Sequence, residues 1–225
     1  MKKQKMTLAQ RANTLRAGVL GSNDGILTVV GVLFTVAVAT TNRFTIFIAA
    51  LSDLLACAFS MATGEYASVS SQKDTEQTVV RKEKQLLKSN FNDELKIVRN
   101  YYIDRGVAPQ TASNIAKELM NKDPLRTVLR IKYDFELGHY LSPWYAAFSS
   151  LFSASAGGLF PLVAMTLLPS SLRWIGTIIA VSLSVALTGF LSAKLGHGDV
   201  KTAVIRNVIV GLLTMCIHYV LGKII

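Results

Sequence analysis

Three carboxylates lie inside the first two long apolar stretches of this 225-residue chain. They are Asp24 in the first stretch and Asp53 and Glu65 in the second. An ionised carboxylate at the centre of a bilayer costs about 2.5–3.5 kcal/mol, so a membrane protein that carries one uses it to bind, pair or conduct ions. The three positions therefore predict a pathway for cations.

The second apolar stretch also carries a sulfur ligand close to its carboxylates. Met61 precedes Glu65 by four residues, and side chains four residues apart lie on one face of a helix, one turn from each other. Asp53 falls on the same face, within a sector of roughly 140°. Mixed oxygen and sulfur donors suit a borderline divalent transition metal better than Mg²⁺ or Ca²⁺. A single methionine in a span also serves for packing alone, so both interpretations of Met61 stay open at this point.

The polar segment of the first stretch is residues 21–25, Gly-Ser-Asn-Asp-Gly. Glycines on both sides of Asn23 and Asp24 allow the helix to distort there and to present the two side chains to an ion. The alternative is an ordinary helix start at the membrane interface. This segment alone does not decide between the two.

The composition is that of a small membrane protein. Hydrophobic residues make up 51% of the chain, and the mean hydropathy is +0.38, which is high for a soluble domain. About 20 apolar residues span the bilayer as a helix. We therefore predict an all-α membrane protein with five transmembrane helices, and Cys57 and Cys216, which lie in two of them, as small core residues. The spans are predicted at residues 18–41, 44–70, 143–168, 172–195 and 202–222.

The distribution of charge predicts the orientation in the membrane. Five Lys or Arg residues, at positions 2, 3, 5, 11 and 16, precede the first span, whereas the short connections after spans one and three hold only Arg43 and Arg173. By the positive-inside rule the N-terminus is cytoplasmic. The predicted organisation is a basic cytoplasmic N-terminus (1–17), spans one and two (18–70), a cytoplasmic helical insert (71–142) and spans three to five (143–225).

The net charge of +10 does not indicate nucleic-acid binding. The insert holds 13 Lys or Arg against 10 Asp or Glu, mixed in sign, which leaves little excess charge for counterion release. The phosphate-binding pattern Gly-x-x-x-x-Gly-Lys-Ser/Thr is absent from the chain. Transport would therefore be driven by gradients rather than by nucleotide hydrolysis.

The insert is predicted to be a small domain of four helices. Asn92 and Asp123 are the expected N-caps of the second and fourth, since both residue types accept hydrogen bonds from the first turn. Four short helices give a modest core, so packing against a partner subunit is expected. The helices are predicted at residues 72–89, where they prolong the second span, and at 92–105, 109–121 and 123–140.

Two segments resemble the signature sequences of a known family. Residues 21–25, and residues 60–74 (Ser-Met-Ala-Thr-Gly-Glu-Tyr-Ala-Ser-Val-Ser-Ser-Gln-Lys-Asp), look like those of the vacuolar iron transporter family and stand in the expected spans. Residues 136–138 and 157–162, with Arg206 in the fifth span, also fit its pattern. The resemblance covers nearly the whole chain.

The resemblance implies a homodimer of five-span subunits that moves Fe²⁺, and often Mn²⁺, out of the cytosol in exchange for protons. In that family the Asp of the Asn-Asp-Gly segment and the Met of the Ser-Met segment line the ion path, and here these are Asp24 and Met61. The insert gathers metal at glutamates, which carry over to Glu83, Glu94 and Glu136. The expected partners are divalent transition-metal ions, protons and the lipid bilayer, with no nucleic acid and no cofactor beyond the transported metal.

The insert departs from the family pattern at four positions. Leu86 and Ile97 stand where further glutamates are expected, and Lys132 and Tyr133 replace expected methionines. We therefore predict a degraded or retuned metal site that binds metal weakly.

The same intramembrane carboxylates predict coupling to protons. A metal ion beside Asp24 and Glu65 favours their ionised forms, whereas an empty and partly desolvated site favours protonation. The predicted path comprises Asn23, Asp24, Asp53, Met61 and Glu65, with Asp24, Met61 and Glu65 as metal ligands. Whether Asp53 relays protons or pairs with a helix end stays open.

Two other functions compete with transport. An iron-oxidising, ferritin-like protein tethered to the membrane needs Glu-x-x-His pairs on two helices, and the chain has one such spacing, from Glu136 to His139. A non-transporting scaffold would leave the intramembrane acids unexplained. His218, in the fifth span, is predicted to be structural. We predict a transporter and not an enzyme, in a prokaryotic plasma membrane, with an organellar or vacuolar membrane as the alternative.

Overall fold

The computed structural model describes residues 8–138 and 140–224. The basic residues at positions 2, 3 and 5, and the histidine of the Glu136–His139 pair, lie outside this part of the chain. Eight helices form within the described residues: α1 (Leu8–Ala39), α2 (Arg43–Ser89), α3 (Phe91–Ile103), α4 (Pro109–Lys122), α5 (Pro124–Tyr133), α6 (Pro143–Leu167), α7 (Arg173–Gly196) and α8 (Val200–Ile224).

Five of the described helices, α1, α2, α6, α7 and α8, are long and apolar enough to cross a membrane. This confirms the predicted all-α class and the predicted number of spans. The largest difference is at the N-terminus, where α1 begins at Leu8 rather than at residue 18 and so includes Arg11 and Arg16. Residues 8–17 contain no Gly or Pro, and nothing in their sequence ends the helix between the basic segment and the span.

The chain forms two compact units. One unit comprises the residues up to Val69 and those from Ser142 onward, and we call it the membrane unit. The other comprises Ser70–Leu141, and we call it the insert. Helix α2 contributes its first part to the membrane unit and its second part to the insert.

Helix α1 supplies the centre of the core of the membrane unit. Its side chains Val29, Val30 and Leu33 are fully buried. They belong to one apolar cluster with buried residues of the other four long helices, among them Leu54 of α2, Leu162 of α6, Val185 of α7 and Met215 of α8. Burial of this apolar surface is what fixes α1 against its neighbours.

The glycines around Asp24 serve helix packing. A Cβ atom at Gly25 would overlap the carbonyl oxygen of Ala154 on α6, and one at Gly157 of α6 would lie 2.6 Å from that of Ser22. The two backbones are therefore in direct contact, as small residues allow between membrane helices. Helix α1 is regular through residues 21–25, so of the two possibilities that the sequence left open there, the structure does not show the distorted helix.

The insert folds around a small core of its own, formed by Val98, Ala116, Met120 and Val128. Two predicted details of its helices are wrong. Helix α3 begins at Phe91, with Asn90 rather than Asn92 at the N-cap position. Helix α5 ends at Tyr133 rather than at residue 140, because residue 134 adopts the left-handed conformation (φ 51°), which ends a helix. The predicted cap at residue 123 is present, where the carboxylate accepts a hydrogen bond from the third backbone N–H of the next helix at 3.2 Å.

Gly25→Ala tests the direct contact between α1 and α6. The added methyl group would overlap backbone atoms of α6, which cannot rotate away as a side chain can. We therefore expect a loss of about 1–3 kcal/mol in the free energy of unfolding. Gly64→Ala on α2 is the matched control, because a Cβ there meets nothing within 4 Å and alanine is the better helix former by about 1 kcal/mol. Thermal melting in detergent compares the two, and equal melting temperatures would contradict the contact.

Candidate ion pathway and carboxylate site of the insert

Helices α1 and α2 bring together two of the predicted acids. Asp53 lies one turn before Cys57 on α2, and the Cys57 thiol donates a hydrogen bond to Oδ2 of Asp24 on α1 at 3.3 Å. Asp24 and Asp53 are close enough to interact through their charges. The pair therefore concentrates negative charge between two spanning helices, where the surrounding protein screens it weakly.

A pocket of about 500 Å³ lies beside this pair, between α1, α2 and α8. Its polar lining consists of Asp53, Thr28, Thr35, Thr214 and His218, and the rest is apolar. Among the described residues, Oδ2 of Asp53 and Oγ1 of Thr28 are buried without a hydrogen bond of normal geometry, although the Thr28 hydroxyl is close enough to the Asp53 carboxylate to act on it as a donor. Unsatisfied buried polar atoms of this kind cost about 1–3 kcal/mol each, which a water molecule or an ion in the pocket would offset.

His218 takes a position that the sequence did not predict. Its Nδ1 atom lies 3.4 Å from Oγ1 of Thr35, and its ring covers Gly31, where a Cβ atom would come within 2.8 Å of Nε2. It was predicted to be structural, and its packing on α1 agrees with that. It also lines the pocket with Asp53, which no sequence pattern indicated.

Glu65 is engaged in an ion pair. Its two carboxylate oxygens accept hydrogen bonds from Nη2 of Arg16 at 2.8 and 3.2 Å. Glu65 is 6% exposed, so the guanidinium provides the charge that this buried carboxylate requires. Arg16, placed by the sequence in the N-terminal segment before the first span, instead lies on α1 and neutralises a predicted metal ligand.

Met61 and Asn23 are half-buried on α2 and α1. Met61 lies one turn before Glu65, on the helix that also carries Asp53. Within the described residues, no three His, Cys, Asp or Glu side chains are grouped so that they could hold a metal ion. The structure thus brings Asp24 and Asp53 together, whereas Glu65 is paired with Arg16.

Two other predicted ligands meet in the insert, around a lysine. The ammonium of Lys132 donates to both oxygens of Glu83 at 2.9 Å and lies 3.1 and 3.2 Å from those of Glu94. The Tyr133 hydroxyl donates to Glu83 at 2.8 Å. Glu83 and Glu94 are buried, whereas Glu136 is exposed in the segment after α5. We call the group of Glu83, Glu94, Lys132 and Tyr133 the carboxylate site.

The pKa values of Lys132 and Tyr133 in the carboxylate site are both raised. Burial alone lowers the pKa of the Lys132 ammonium, but the hydrogen bonds and charges of Glu83 and Glu94 outweigh burial and raise that pKa above its ordinary value of 10.5. Burial, and then the hydrogen bond and charge of Glu83, raise the pKa of Tyr133. The lysine is therefore charged throughout the neutral pH range.

Sequence reasoning missed the contacts that three residues make at these sites. Cys57 was taken for a core residue, although it stands four residues after Asp53 and so on the same helical face, a signal that was available. Arg16 and Lys132 carried no such signal, because each pairs with an acid at least 38 residues away in the chain.

An all-α chain with five helices of spanning length, and with paired acids between two of them, defines a polytopic membrane protein with a charged site among its helices. Residues 15–223 match the model of the VIT family. The chain is 36% identical over 221 residues to a vacuolar iron transporter of Acanthamoeba castellanii, covering 98% of this chain and 81% of that protein. It is 28% identical to vacuolar iron transporter homolog 3 of Arabidopsis thaliana, over 96% of this chain and 86% of that protein. The chain belongs to the VIT family, as its signature segments indicated.

Arg16→Ala tests the ion pair with Glu65. The substitution leaves a buried carboxylate without its cation, and we expect a loss of about 1–3 kcal/mol in unfolding free energy, less than for a fully buried pair because Arg16 is half exposed. Adding Glu65→Gln to the same chain should recover most of the loss, since the amide carries no charge.

Arg43→Ala is the control for this experiment, because Arg43 donates to the hydroxyl of Ser170 at an exposed site. Chemical denaturation in detergent measures all four proteins. An equal loss in the single and the double variant would show that Arg16 acts through packing rather than through charge.

Proposed function

We propose that this protein is an iron transporter that moves Fe²⁺ along a path between α1 and α2, in exchange for protons. The single observation that carries the proposal is the pair Asp24 and Asp53, held between two spanning helices beside a pocket with unsatisfied polar atoms. Membership of the VIT family, and relatives named as vacuolar iron transporters, support iron as the cargo.

The charge of this pair supplies a reason for proton exchange. Two acids at bilayer depth repel each other when both are ionised, so an empty site favours a shared or bound proton. A divalent cation between them favours the ionised form of both carboxylates, so its entry releases protons. Antiport then follows from Asp24 and Asp53 themselves.

The sulfur atoms along α2 favour a transition metal as the ion. The Cys57 thiol contacts Asp24, and Met61 lies one turn further along the helix. Carboxylate oxygen together with thiol or thioether sulfur suits Fe²⁺ and similar ions, whereas Mg²⁺ and Ca²⁺ prefer oxygen alone. Mn²⁺, which lies between these groups, belongs to the proposal as a second cargo.

Glu65 can bind a passing metal ion only after Arg16 has released it. Its oxygens are satisfied by Arg16, so a passing metal ion has to take the place of the guanidinium. We infer that Glu65 and Met61 form a second station, which is closed by Arg16 when no metal is present.

The basic residues before the first span favour a cytoplasmic N-terminus, which also makes the insert cytoplasmic. We propose export from the cytosol as the direction of transport because the resemblance to the family implies it. We propose a homodimer, as the resemblance implies. The names of the relatives favour a vacuolar membrane, the alternative to the prokaryotic plasma membrane that the sequence alone favoured.

The iron-oxidising alternative rests on carboxylates in the insert. Glu83 and Glu94 are bound there by the ammonium of Lys132, which leaves them less able to hold the irons that such an activity requires. The transport proposal therefore has the stronger support.

Flux into proteoliposomes with an imposed pH gradient tests the path. Asp24→Asn and Asp53→Asn should each lower Fe²⁺ uptake by about tenfold or more, because each removes one of the charges that hold the ion, and a tenfold loss corresponds to only about 1.4 kcal/mol. Met61→Ala should lower uptake of Fe²⁺ more than that of Mn²⁺, since the softer ion depends more on sulfur. A pH-sensitive dye inside the vesicles should report a proton flux, and in each aspartate variant this flux should fall together with the metal flux.

Asp93→Asn is the matched control, because this aspartate is exposed on α3 and pairs with Lys96 on the surface. If Asp24→Asn and Asp53→Asn transport iron as the wild type does, the assigned path is wrong. If the purified protein consumes O₂ with Fe²⁺ and Glu83→Ala abolishes it, the oxidase alternative replaces transport.

A further inference from the structure

The carboxylate site of the insert is already filled by a side chain of the protein itself. Glu83 and Glu94 direct all four of their oxygens at the ammonium of Lys132. We propose that Lys132 is a built-in cation that occupies this site in place of a divalent metal, so that the insert folds without metal and does not capture Fe²⁺ or Mn²⁺. The inference concerns the insert alone and does not depend on the proposed transport path.

The distances fit an ammonium and not a metal ion. The Lys132 nitrogen lies 2.9–3.2 Å from the four oxygens, which is the range of charge-assisted hydrogen bonds and slightly longer contacts. Hard divalent cations sit about 2.0–2.6 Å from their oxygen ligands. A metal would therefore require both glutamates to move inward, around a position that a nitrogen atom now holds.

The charges oppose the entry of a metal as well. Two carboxylates carry two negative charges, and Lys132 neutralises one of them while Tyr133 donates a hydrogen bond to Glu83. A divalent ion added beside the ammonium would give the site an excess positive charge at short range. The metal therefore has to displace the lysine, which is tethered to the site by its own helix.

Displacing the lysine would not leave a complete ligand shell. The site would offer the oxygens of two carboxylates and one phenol, and the described residues hold no group of three His, Cys, Asp or Glu side chains around any such point. Glu83 is fully buried, and the side chain of Lys132 is 21% exposed. In the wild type, water could complete the coordination only after Lys132 had left the site.

The first test compares metal binding by the wild type and Glu83→Gln. Full-length protein in nanodiscs is stripped of metal and titrated with Mn²⁺, and bound Mn²⁺ is counted by electron paramagnetic resonance. We expect the same number of bound ions, with affinities that differ by less than about tenfold, because Glu83 already holds the lysine. Loss of one bound Mn²⁺ in Glu83→Gln would overturn the proposal.

The second test opens the site with Lys132→Met. This variant removes the internal cation and adds a flexible thioether beside two buried carboxylates. We expect one additional bound Mn²⁺ per chain and a melting temperature that rises with Mn²⁺, neither of which the wild type shows. Lys96→Met is the matched control, because it removes a lysine from a single exposed carboxylate, and it should bind as the wild type does.

A third variant covers the case in which Lys132→Met fails to fold without metal. Glu83→Gln together with Lys132→Met leaves only Glu94 charged, so it should fold in the absence of metal and gain no Mn²⁺. If Mn²⁺ restores the folding of Lys132→Met, the proposal is supported. If Lys132→Met is folded and gains no Mn²⁺, the proposal is contradicted. If it stays unfolded in all conditions, the comparison of the wild type with Glu83→Gln decides.

The membrane path is kept separate by repeating both titrations in an Asp24→Asn background. Ions bound between α1 and α2 are reduced there, whereas the difference between Lys132 and its methionine variant is unaffected. If the transport proposal is wrong, Asp24→Asn leaves the number of bound ions unchanged. If the proposal for Lys132 is wrong, Lys132→Met leaves that number unchanged.

Discussion

A carboxylate that leaves water must find a cation or enough hydrogen-bond donors, and this protein meets that requirement in two different ways. The first is a tethered cation. Arg16 binds both oxygens of Glu65, and Lys132 binds those of Glu83 and Glu94. In each case the partner comes from another helix and is part of the chain, so the carboxylates have a cation beside them without any ion from solution.

In the second way, no lysine or arginine of the described residues pairs with the carboxylates of Asp24 and Asp53. Asp24 accepts a hydrogen bond from a thiol, a weak donor, while one oxygen of Asp53 has no hydrogen bond of normal geometry among the described residues. The two acids also repel each other. This is the arrangement that an exchangeable ion requires, because a lysine or arginine fixed there would compete with the cargo on every cycle. The contrast with the insert distinguishes the proposed ion path from a structural ion pair more sharply than the number of acidic residues does.

The sequence predicts what depends on local composition and misses what depends on pairing. Long apolar runs predicted the five spans, and the acids within them singled out Asp24 and Asp53, which the structure places close enough to interact. The pairing of Arg16 with Glu65 joins residues 49 positions apart and exists because α1 starts at Leu8, so the arginine stands on the helix instead of in a free segment. At Lys132 the sequence predicted the loss of a metal ligand, but not that the substituted side chain would take the place of the ion, because that depends on how α5 is rotated toward α2 and α3.

The two tethered cations differ in how easily they can leave. The side chain of Arg16 is 54% exposed, so water can solvate the guanidinium as soon as it releases Glu65, and the cost of opening that pair is moderate. Lys132 is 21% exposed and holds two carboxylates at once, so its release would leave two buried charges uncompensated. If metal passes Glu65, exchange with Arg16 is therefore accessible to the folded protein. The corresponding exchange at Lys132 is less favourable, and this difference separates the proposed gate at Glu65 from the proposed substitute for the ion in the insert.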